Sequence, residues 1–336
     1  MRSLKSVGRQ VGLIGILTLA ITACEKEVTV QDVLPSLGTS ESVSVSGISS
    51  GGYMAGQFLV AFSERVSGAG IVAAGPWGCA RGDINRALQK CISGTDTETE
   101  ALQELAREKA EAGNISALAN LEGARLLLFH GSEDAVVGAA AMDELVNWLA
   151  PFTDEEKIQY VTDIPAAHGW PTDSYGNDCG EFAAPFINSC EYDLAGEILS
   201  HIYSDLAPPA TEVGAAQRFD QRPFGDANLA DFGYVYVPES CANGTSCRVH
   251  IFFHGCEQSA ATAGTELLEN AGLNEWAESN DIVVLYPQVE KSLAAPMNPY
   301  GCWDWWGYTG EDYLERKGRQ LSAVSGMIDT LAGTPD

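Results

Sequence analysis

The chain has 336 residues, of which 45% are hydrophobic and 19% are charged, a composition that excludes a disordered or collagen-like protein. It contains 19 Lys and Arg against 46 Asp and Glu, which gives a formal net charge of −27 at pH 7. A surface this acidic repels phosphate backbones, so the charge argues against nucleic acid as a partner.

The first 23 residues have the features of a secretory signal peptide. Basic residues are followed by an apolar run from Val11 to Ala23, which is too short to span a bilayer comfortably. The segment Ile21-Thr22-Ala23-Cys24 resembles the lipobox of bacterial lipoproteins, in which the cysteine is acylated and becomes the first mature residue. An ordinary signal peptide cut nearby is the alternative. Either processing places the mature chain outside the cytoplasm, and a lipid on Cys24 is the only membrane link we expect.

The remaining eight cysteines are an even number in an exported chain, which favours disulfides over metal ligands. The sequence contains neither a CxxC pair nor a histidine cluster, so we expect no metal site. Proximity in the sequence suggests four disulfides, namely Cys79–Cys91, Cys179–Cys190, Cys241–Cys247 and Cys256–Cys302.

The first half of the chain alternates predicted strands and helices. After a predicted mobile tether at 25–38, residues 42–46 alternate polar and apolar side chains as a half-buried strand does. A helical pattern follows from Gly52 to Phe62, and the apolar run 70–74 is typical of a buried parallel strand. An excursion with an Ala/Glu-rich helical stretch occupies 76–120. Further strands are predicted at 125–129 and 157–163, with helices at 138–150 and 188–203.

Residues 205–216 contain adjacent prolines and form the predicted linker between two halves of one domain, which we expect to cover 39–336. Beyond the linker, strands are predicted at 234–237, 249–253 and 282–286, and helices at 262–279 and 312–331. Strands that alternate with helices predict an α/β fold with a mostly parallel sheet and helices on both faces.

The segment Gly47-Ile48-Ser49-Ser50-Gly51 matches the pattern Gly-x-Ser-x-Gly between a predicted strand and a predicted helix. A nucleophile on such a turn needs small residues two positions before and two after it, because both lie against neighbouring backbone. Ser49 meets this condition, whereas Ser50 would place Ile48 in the crowded position. Ser49 is therefore the predicted nucleophile, and an ordinary glycine-serine turn is the alternative.

A serine hydroxyl needs a general base, and the base needs a carboxylate that orients it. His168 is the predicted base, because it lies in a loop after a predicted strand and can reach an active site. The other candidates have more restricted positions: His130 ends a strand, His250 lies inside a strand, and His201 falls in an amphipathic helix. A structural role for His168 is the alternative.

The orienting carboxylate is expected in the turn that follows the strand 125–129, since α/β active sites collect at the carboxyl ends of strands. Chemistry alone allows either Glu133 or Asp134. Helix capping is the alternative role for Asp134.

Ester hydrolysis also needs two N–H groups that face the developing oxyanion. One is expected from Ser50, the residue after the predicted nucleophile. The second usually comes from a His-Gly motif, and His254-Gly255-Cys256 follows the predicted strand 249–253. This motif comes long after Ser49 in the chain, whereas it ordinarily comes before the nucleophile. A circular permutation produces this order.

At these motifs the sequence resembles the extracellular poly(3-hydroxybutyrate) depolymerases of the single-domain, circularly permuted α/β-hydrolase type. The resemblance implies that Ser49, Asp134 and His168 form a catalytic triad, and it favours the aspartate over its glutamate neighbour. It also implies that the amides of Ser50 and Cys256 form the oxyanion hole. The matching segments span nearly all of the mature chain: Gly47-Ile48-Ser49-Ser50-Gly51-Gly52-Tyr53-Met54, His130-Gly131-Ser132-Glu133-Asp134, Ala167-His168-Gly169-Trp170, His254-Gly255-Cys256-Glu257-Gln258 and Gly301-Cys302-Trp303-Asp304-Trp305-Trp306.

Three of the seven tryptophans lie close together in a loop after the predicted strand 282–286, at the edge of the sheet where the active site is expected. Trp303, Trp305 and Trp306 are predicted to line an apolar acyl pocket or to adsorb to a polyester surface. The alternative, that they fill the core beneath the loop, has equal standing.

The sequence thus predicts a monomeric, exported serine esterase that acts on polyester or hydroxyacid oligomers without a metal or organic cofactor. Two other functions stay open. One is a related esterase that removes feruloyl or acetyl groups from plant polysaccharide, and the other is a non-catalytic surface-binding protein on the same scaffold. The complete set of nucleophile, base and acid argues against the binding protein.

Overall fold

The computed structural model describes residues 33–333, so the predicted signal peptide, Cys24 and tether residues up to 32 lie outside the described residues. Strands β1 to β11 are Val43–Ile48, Val66–Val72, Arg125–Phe129, Ile158–Val161, Trp170–Thr172, Asn177–Asp178, Ile187–Ser189, Gln217–Asp220, Phe232–Tyr236, Arg248–Phe253 and Ile282–Tyr286. Helices α1 to α10 are Ser50–Ala61, Ile84–Arg86, Thr99–Glu111, Ala139–Leu149, Leu194–Ile202, Glu239–Ala242, Ala260–Ala263, Glu266–Asn270, Leu273–Ser279 and Arg319–Ala332.

Eight strands form the main sheet in the order β4-β3-β2-β1-β10-β11-β9-β8. The six strands from β4 to β11 are parallel, and β9 and β8 continue the sheet antiparallel at one edge. Strand β10 comes late in the chain yet pairs directly with β1, with Val43 opposite Val249 and Gly47 opposite Phe253. This is the circularly permuted α/β-hydrolase arrangement that the motif order predicted.

Helices cover both faces of the sheet, as predicted. On one face α1 and α10 pack over alternate residues of the central strands, such as Val45 and Ile251. On the other face α5 and α9 cover Leu127 and Val284. The two apolar layers enclose the central strands, so the turns at the carboxyl ends of those strands are the free edge where a site can form.

Strand β1 is fully buried, although its alternating serines predicted a half-buried strand. Ser44 and Ser46 project from the same face, and their hydroxyls lie 2.7 Å from Nδ1 and 2.7 Å from Nε2 of His250 on β10. The Tyr203 hydroxyl donates to Ser44 Oγ at 2.8 Å. These bonds satisfy polar groups that would otherwise oppose burial.

Three predicted helices differ from the structure, two of them at residues that interrupt or cap a helix. The predicted helix 262–279 is divided into α7, α8 and α9, because Gly264 and Gly272 adopt left-handed φ angles of 72° and 84°. The predicted helix 188–203 begins only at Leu194, where Asp193 caps it by accepting from the Gly196 N–H at 2.9 Å. The predicted helix 312–331 begins at Arg319.

A small second sheet, in the order β5-β7-β6, was not predicted from the sequence. Its strands have two or three residues each, too few to show a periodic pattern. The Cys179–Cys190 disulfide lies beside it. This sheet begins two residues after His168 and therefore determines where the loop that carries this histidine can lie.

The described end of the predicted tether is packed against the domain and is not free. Leu34 is buried, and the N–H groups of Leu37 and Gly38 donate to carbonyls of Leu331 and Gly333 at the end of α10. The predicted linker at 205–216 is irregular chain between α5 and β8. Within residues 33–333, no helix combines the length and apolar character needed to cross a membrane.

The structure contains the four disulfides that sequence proximity suggested, namely Cys79–Cys91, Cys179–Cys190, Cys241–Cys247 and Cys256–Cys302. Disulfides persist in oxidising surroundings and are rare in the cytosol. The chain therefore matures in an oxidising compartment.

Candidate active site

Ser49 occupies the sharp turn between β1 and α1, with φ 58° and ψ −123°. A non-glycine residue in this region is strained, as the nucleophile of an α/β-hydrolase is. The flanking glycines are required by packing: a Cβ on Gly47 would overlap the Gly51 carbonyl, and one on Gly51 would overlap the Phe253 carbonyl. The turn thus has the register that the sequence predicted for Ser49.

His168 and Asp134 come from separate loops and meet in a short hydrogen bond, with Nδ1 of the histidine 2.7 Å from Oδ2 of the aspartate. The Asp134 side chain is almost fully buried, and its other oxygen accepts the N–H groups of Val136 and Val137 at 2.8 and 3.0 Å. Three donors therefore hold the carboxylate and fix its direction. With Nδ1 bound to the aspartate, Nε2 of His168 is the ring nitrogen available to a nucleophile.

The competing candidates have other partners. Glu133 is exposed, and the carboxylate that bonds to His168 is that of Asp134, the residue that the resemblance favoured. His130 and His201 bond to the backbone carbonyls of Val137 and Lys157, at 2.9 and 2.8 Å. His250 lies between the two β1 serines, where burial lowers its pKa to about 3. These three histidines therefore have structural roles.

The predicted oxyanion groups face the same edge of the sheet. Ser50 is the first residue of α1, so its N–H has no intrahelical acceptor. Cys256 lies in the turn after β10, and β10 is the strand that pairs with β1. His254 holds this turn: its Nδ1 lies 2.7 Å from the Gly255 carbonyl, and its Nε2 accepts the Val289 N–H at 3.2 Å. Burial lowers the pKa of His254 to about 4, so the ring is neutral at pH 7.

A cleft of about 150 Å³ joins these groups. Ser49 and His168 lie in its wall together with Gly255 and Cys256, so one cavity contains the predicted nucleophile, base and oxyanion turn. The rest of the wall is formed by residues to which the sequence assigned no role in the site, namely Ile48, Val136, Phe182, Phe186, Glu257 and Gln258.

Phe182 is the most prominent of these additional residues. Its side chain is 56% exposed, and its ring lies edge-on to His168 with centroids 5.9 Å apart. It also contacts Phe186, with ring centroids 5.2 Å apart. The segment that carries both rings is irregular, so no periodic signal in the sequence could have identified it.

The structure corrects the prediction for the tryptophan loop, because the indoles do not line the cleft. Trp303 is fully buried against Phe253, and Trp305 is 7% exposed and stacks on Tyr53 with centroids 4.3 Å apart. Trp306 is partly buried and contacts the edge of the Trp305 ring. The loop folds back onto α1, so Trp303 and Trp305 belong to the core, which was the alternative left open above.

No family model matches the chain. The chain is 38% identical over 308 residues to a poly(3-hydroxybutyrate) depolymerase of Delftia acidovorans, a match that covers 89% of this chain and 61% of the relative. It is also 38% identical over 317 residues to a polyhydroxybutyrate depolymerase of Talaromyces funiculosus, with 89% of this chain and 92% of the relative covered. The chain thus spans less than two thirds of the Delftia protein and nearly all of the fungal one.

Two solved structures are similar over the same portion of the chain. A PHB depolymerase from Penicillium funiculosum has a TM-score of 0.85 and 34% identity, with 89% of this chain and 98% of that chain covered. A serine-to-alanine PHB depolymerase complexed with an R3HB trimer gives the same values. With the identity, the coverage and the shared fold in agreement, the chain belongs to the polyhydroxybutyrate depolymerase family.

Proposed function

We propose that the protein is a serine esterase that hydrolyses poly(3-hydroxybutyrate)-type polyesters or hydroxyacid oligomers through an acyl-enzyme. The observation that carries this proposal is the His168–Asp134 bond of 2.7 Å in a cleft whose wall also contains Ser49 on its strained turn. Membership of the depolymerase family supports the substrate class.

The chemistry follows from the position of each group. Ser49 Oγ attacks the ester carbonyl carbon while Nε2 of His168 takes the hydroxyl proton. Asp134 stabilises the imidazolium that forms, and the N–H groups of Ser50 and Cys256 stabilise the oxyanion. The tetrahedral intermediate collapses, and the alcohol leaves with the proton from His168. Water then attacks the acyl-enzyme by the same steps and releases the acid.

An uncharged polyester suits the surroundings of the cleft. Glu257 lies in its wall, and its carboxylate is paired with the ammonium group of Lys291 at 3.4 Å. The Glu257 N–H donates to the Tyr300 carbonyl at 2.8 Å, which places the loop before residue 301 beside the oxyanion turn. That loop exposes Leu293 by 85%, Met297 by 64% and Tyr300 by 57%. Apolar side chains on this loop and Phe182 can contact a neutral, methyl-bearing chain without a charged anchor.

The net charge also suits an ester that yields acids. The intact polymer is neutral and is not repelled by the acidic protein, whereas each released hydroxyacid carries a negative charge. Product release is therefore favoured electrostatically.

The decisive experiment offers amorphous poly(3-hydroxybutyrate) and a feruloylated, acetylated arabinoxylan side by side to the wild type and to Ser49→Ala. We expect the wild type to release short hydroxyacids from the polyester and Ser49→Ala to release none. Release of ferulate or acetate without hydroxyacids would instead establish the polysaccharide esterase. Binding of polymer without any released acid would establish the surface-binding protein.

The location and assembly of the mature protein are part of the same proposal. We infer that it acts outside the cytoplasm, in keeping with its four disulfides, that it is a monomer, and that a lipid on Cys24 anchors it to a membrane. Mass spectrometry of the mature N-terminus from a native membrane fraction tests the anchor, since an unmodified terminus at another residue would contradict it.

A further inference from the structure

Gln258 links two parts of the candidate active site through one buried amide. It lies two residues after Cys256, is 4% exposed and forms part of the cleft wall. Its Oε1 accepts the N–H of Gly255 at 2.7 Å, and its Nε2 donates to the carbonyl of Phe186 at 3.0 Å. One end of the side chain therefore holds the oxyanion turn, and the other end holds Phe186, which also lines the cleft.

The Phe186 carbonyl continues this connection to the general base. It also accepts the N–H of Trp170 at 2.8 Å, two residues after His168. Phe186 has a φ of 59°, a strained value for a bulky residue, which persists only where the surroundings impose it. A Cβ on Gly169 would overlap the buried Asn188 side chain and lie 3.1 Å from the Phe186 carbonyl. The segment that carries His168 is thus packed directly against this carbonyl.

We propose that Gln258 is a positioning residue that couples the oxyanion turn to the segment carrying the general base. The hydrogen bonds run from Gly255 through Gln258 and Phe186 to Trp170. The two segments are far apart in sequence, so local structure alone does not fix their separation. A donor displaced by about 1 Å loses much of its effect on the transition state, so loss of this coupling lowers kcat more than it raises KM. This inference rests on the proposed ester hydrolysis.

Gln258→Glu tests the proposal, because the introduced side chain has nearly the same shape and one proton fewer. When ionised it accepts from Gly255 but cannot donate to Phe186, whereas when protonated it can do both. We expect kcat for a soluble short-chain ester to fall about 10- to 100-fold near pH 8, with KM changed less than about threefold. The ratio of variant to wild-type kcat should then rise as the pH is lowered towards 5.

Gln221→Glu is the matched control. Gln221 is equally buried, and its amide bridges the backbones of Ala230 and Gln288 outside the cleft. We expect this control to lower the thermal midpoint while its kcat relative to wild type stays within about twofold and does not vary with pH. Gln258→Met removes both bonds at similar volume, and it should show the lowered kcat without recovery at low pH.

The outcomes separate the two proposals. A wild type that hydrolyses no ester would overturn the proposed function itself. An active wild type with a Gln258→Glu ratio that stays near one, or that is low but independent of pH, would overturn the positioning role. Should Gln258→Glu fail to fold, an unaltered kcat in Gln258→Met would overturn it as well.

Discussion

The backbone N–H of Trp303 donates a hydrogen bond to the hydroxyl of Ser50 at 3.3 Å. Both residues are buried, and each adjoins a group of the candidate site: Ser50 follows the proposed nucleophile, and Trp303 follows Cys302, which is bonded to Cys256. The bond therefore joins the start of α1 to the loop that supports the oxyanion turn. It also gives the Ser50 hydroxyl a role distinct from that of its backbone N–H.

Substitution of the two adjacent serines should have unequal effects. Ser49→Ala should abolish hydrolysis and labelling by a serine-directed phosphonate, because it removes the nucleophile. Ser50→Ala keeps the backbone N–H and loses only the bond from Trp303, worth about 1 kcal/mol, so kcat should fall about tenfold at most. Phosphonate labelling followed by mass spectrometry checks this. Labelling that persists in Ser49→Ala and vanishes in Ser50→Ala would show that the nucleophile is Ser50.

Asp134→Asn should lower kcat on the order of 10³- to 10⁴-fold with little change in KM, because an amide can hold His168 in the wrong tautomer and cannot stabilise its cation. The neighbouring Glu133 provides the control, since its exposed carboxylate makes no contact with the histidine. Steady-state kinetics on a soluble ester should therefore show Glu133→Gln close to wild type. Similar losses in both variants would contradict the assignment of the acid.

Loss of the Cys256–Cys302 disulfide should reduce catalysis before it unfolds the protein. It joins cysteines 46 residues apart and contributes about 4 kcal/mol to the free energy of unfolding by the chain-entropy argument. It also fixes the turn that presents the Cys256 N–H, so the double variant Cys256→Ser/Cys302→Ser should lose kcat at temperatures where its circular dichroism is native.

The Cys241–Cys247 disulfide is the matching control for that experiment. It joins cysteines 6 residues apart just before β10 and contributes about 2 kcal/mol to the stability of the fold. It lies at the amino ends of the central strands, whereas the cleft lies at their carboxyl ends. Cys241→Ser/Cys247→Ser should therefore lower the thermal midpoint and leave kcat of the folded protein unchanged. A kcat that is native in both double variants would contradict the catalytic role of the longer link.

Two buried histidines should make the protein less stable in mild acid. Burial lowers the pKa of His250 to about 3 and that of His254 to about 4, from an ordinary value of 6.5. Below pH 6.5 the unfolded chain therefore binds protons that the folded chain does not bind. Their contribution to the free energy of unfolding is complete above pH 6.5 and declines as the pH falls towards the folded pKa values, by up to about 1.4 kcal/mol per pH unit for each histidine.

Urea unfolding of the wild type and His250→Gln between about pH 7 and pH 5 measures this effect. The variant should be less stable at pH 7, because it loses bonds to the β1 serines, yet its free energy of unfolding should depend less on pH. The slope should decrease by up to about 1.4 kcal/mol per pH unit. Equal slopes for the two proteins would show that His250 is not neutral in the fold.

Trp305 and Phe182 should respond in opposite ways to truncation. Trp305→Ala removes a buried ring stacked on Tyr53, so it should lower the free energy of unfolding by about 3 to 5 kcal/mol and impair polymer and soluble-ester hydrolysis alike. Phe182→Ala removes an exposed ring beside His168, so stability should change little while polymer clearing falls more than hydrolysis of a soluble ester. Chemical denaturation measures the stability, and the two assays measure polymer clearing and soluble-ester hydrolysis. A selective loss of polymer clearing in Trp305→Ala would show that this indole contacts the substrate.

Features set by local sequence could be predicted, and features set by folded loops could not. The turn at Ser49 was predictable because the glycines on either side are needed by backbone packing within that turn. The circular permutation followed from the motif order, since the turn after β10 must lie beside Ser49. In contrast, the serines of β1 gave a misleading periodicity, because His250 from another strand satisfies them inside the core.

The roles of loop residues could not be predicted, because they depend on contacts between residues that are distant in sequence. The burial of Trp305 depends on a ring stack with Tyr53, which is distant in sequence, so composition alone left core and surface roles equal. Phe182 reaches His168 through a disulfide-bonded segment and very short strands, neither of which has a periodic pattern. The Gln258 bonds were hidden for the same reason, although the residue itself lies in a recognised motif.

The packing of the first described residues against α10 determines where the chain enters the domain relative to the cleft. Gly38 bonds to the end of α10, and the Ser40 N–H donates to the Cys247 carbonyl just before β10, so the chain enters at the amino ends of the central strands. Ser49 lies at the other end of β1, about 20 Å away for a strand of this length. A support joined to the protein at this entry point would leave the cleft on the far side of the sheet, facing outward. Immobilisation through the N-terminus should accordingly preserve access to a solid film, whereas attachment through the loop that exposes Leu293 should obstruct it.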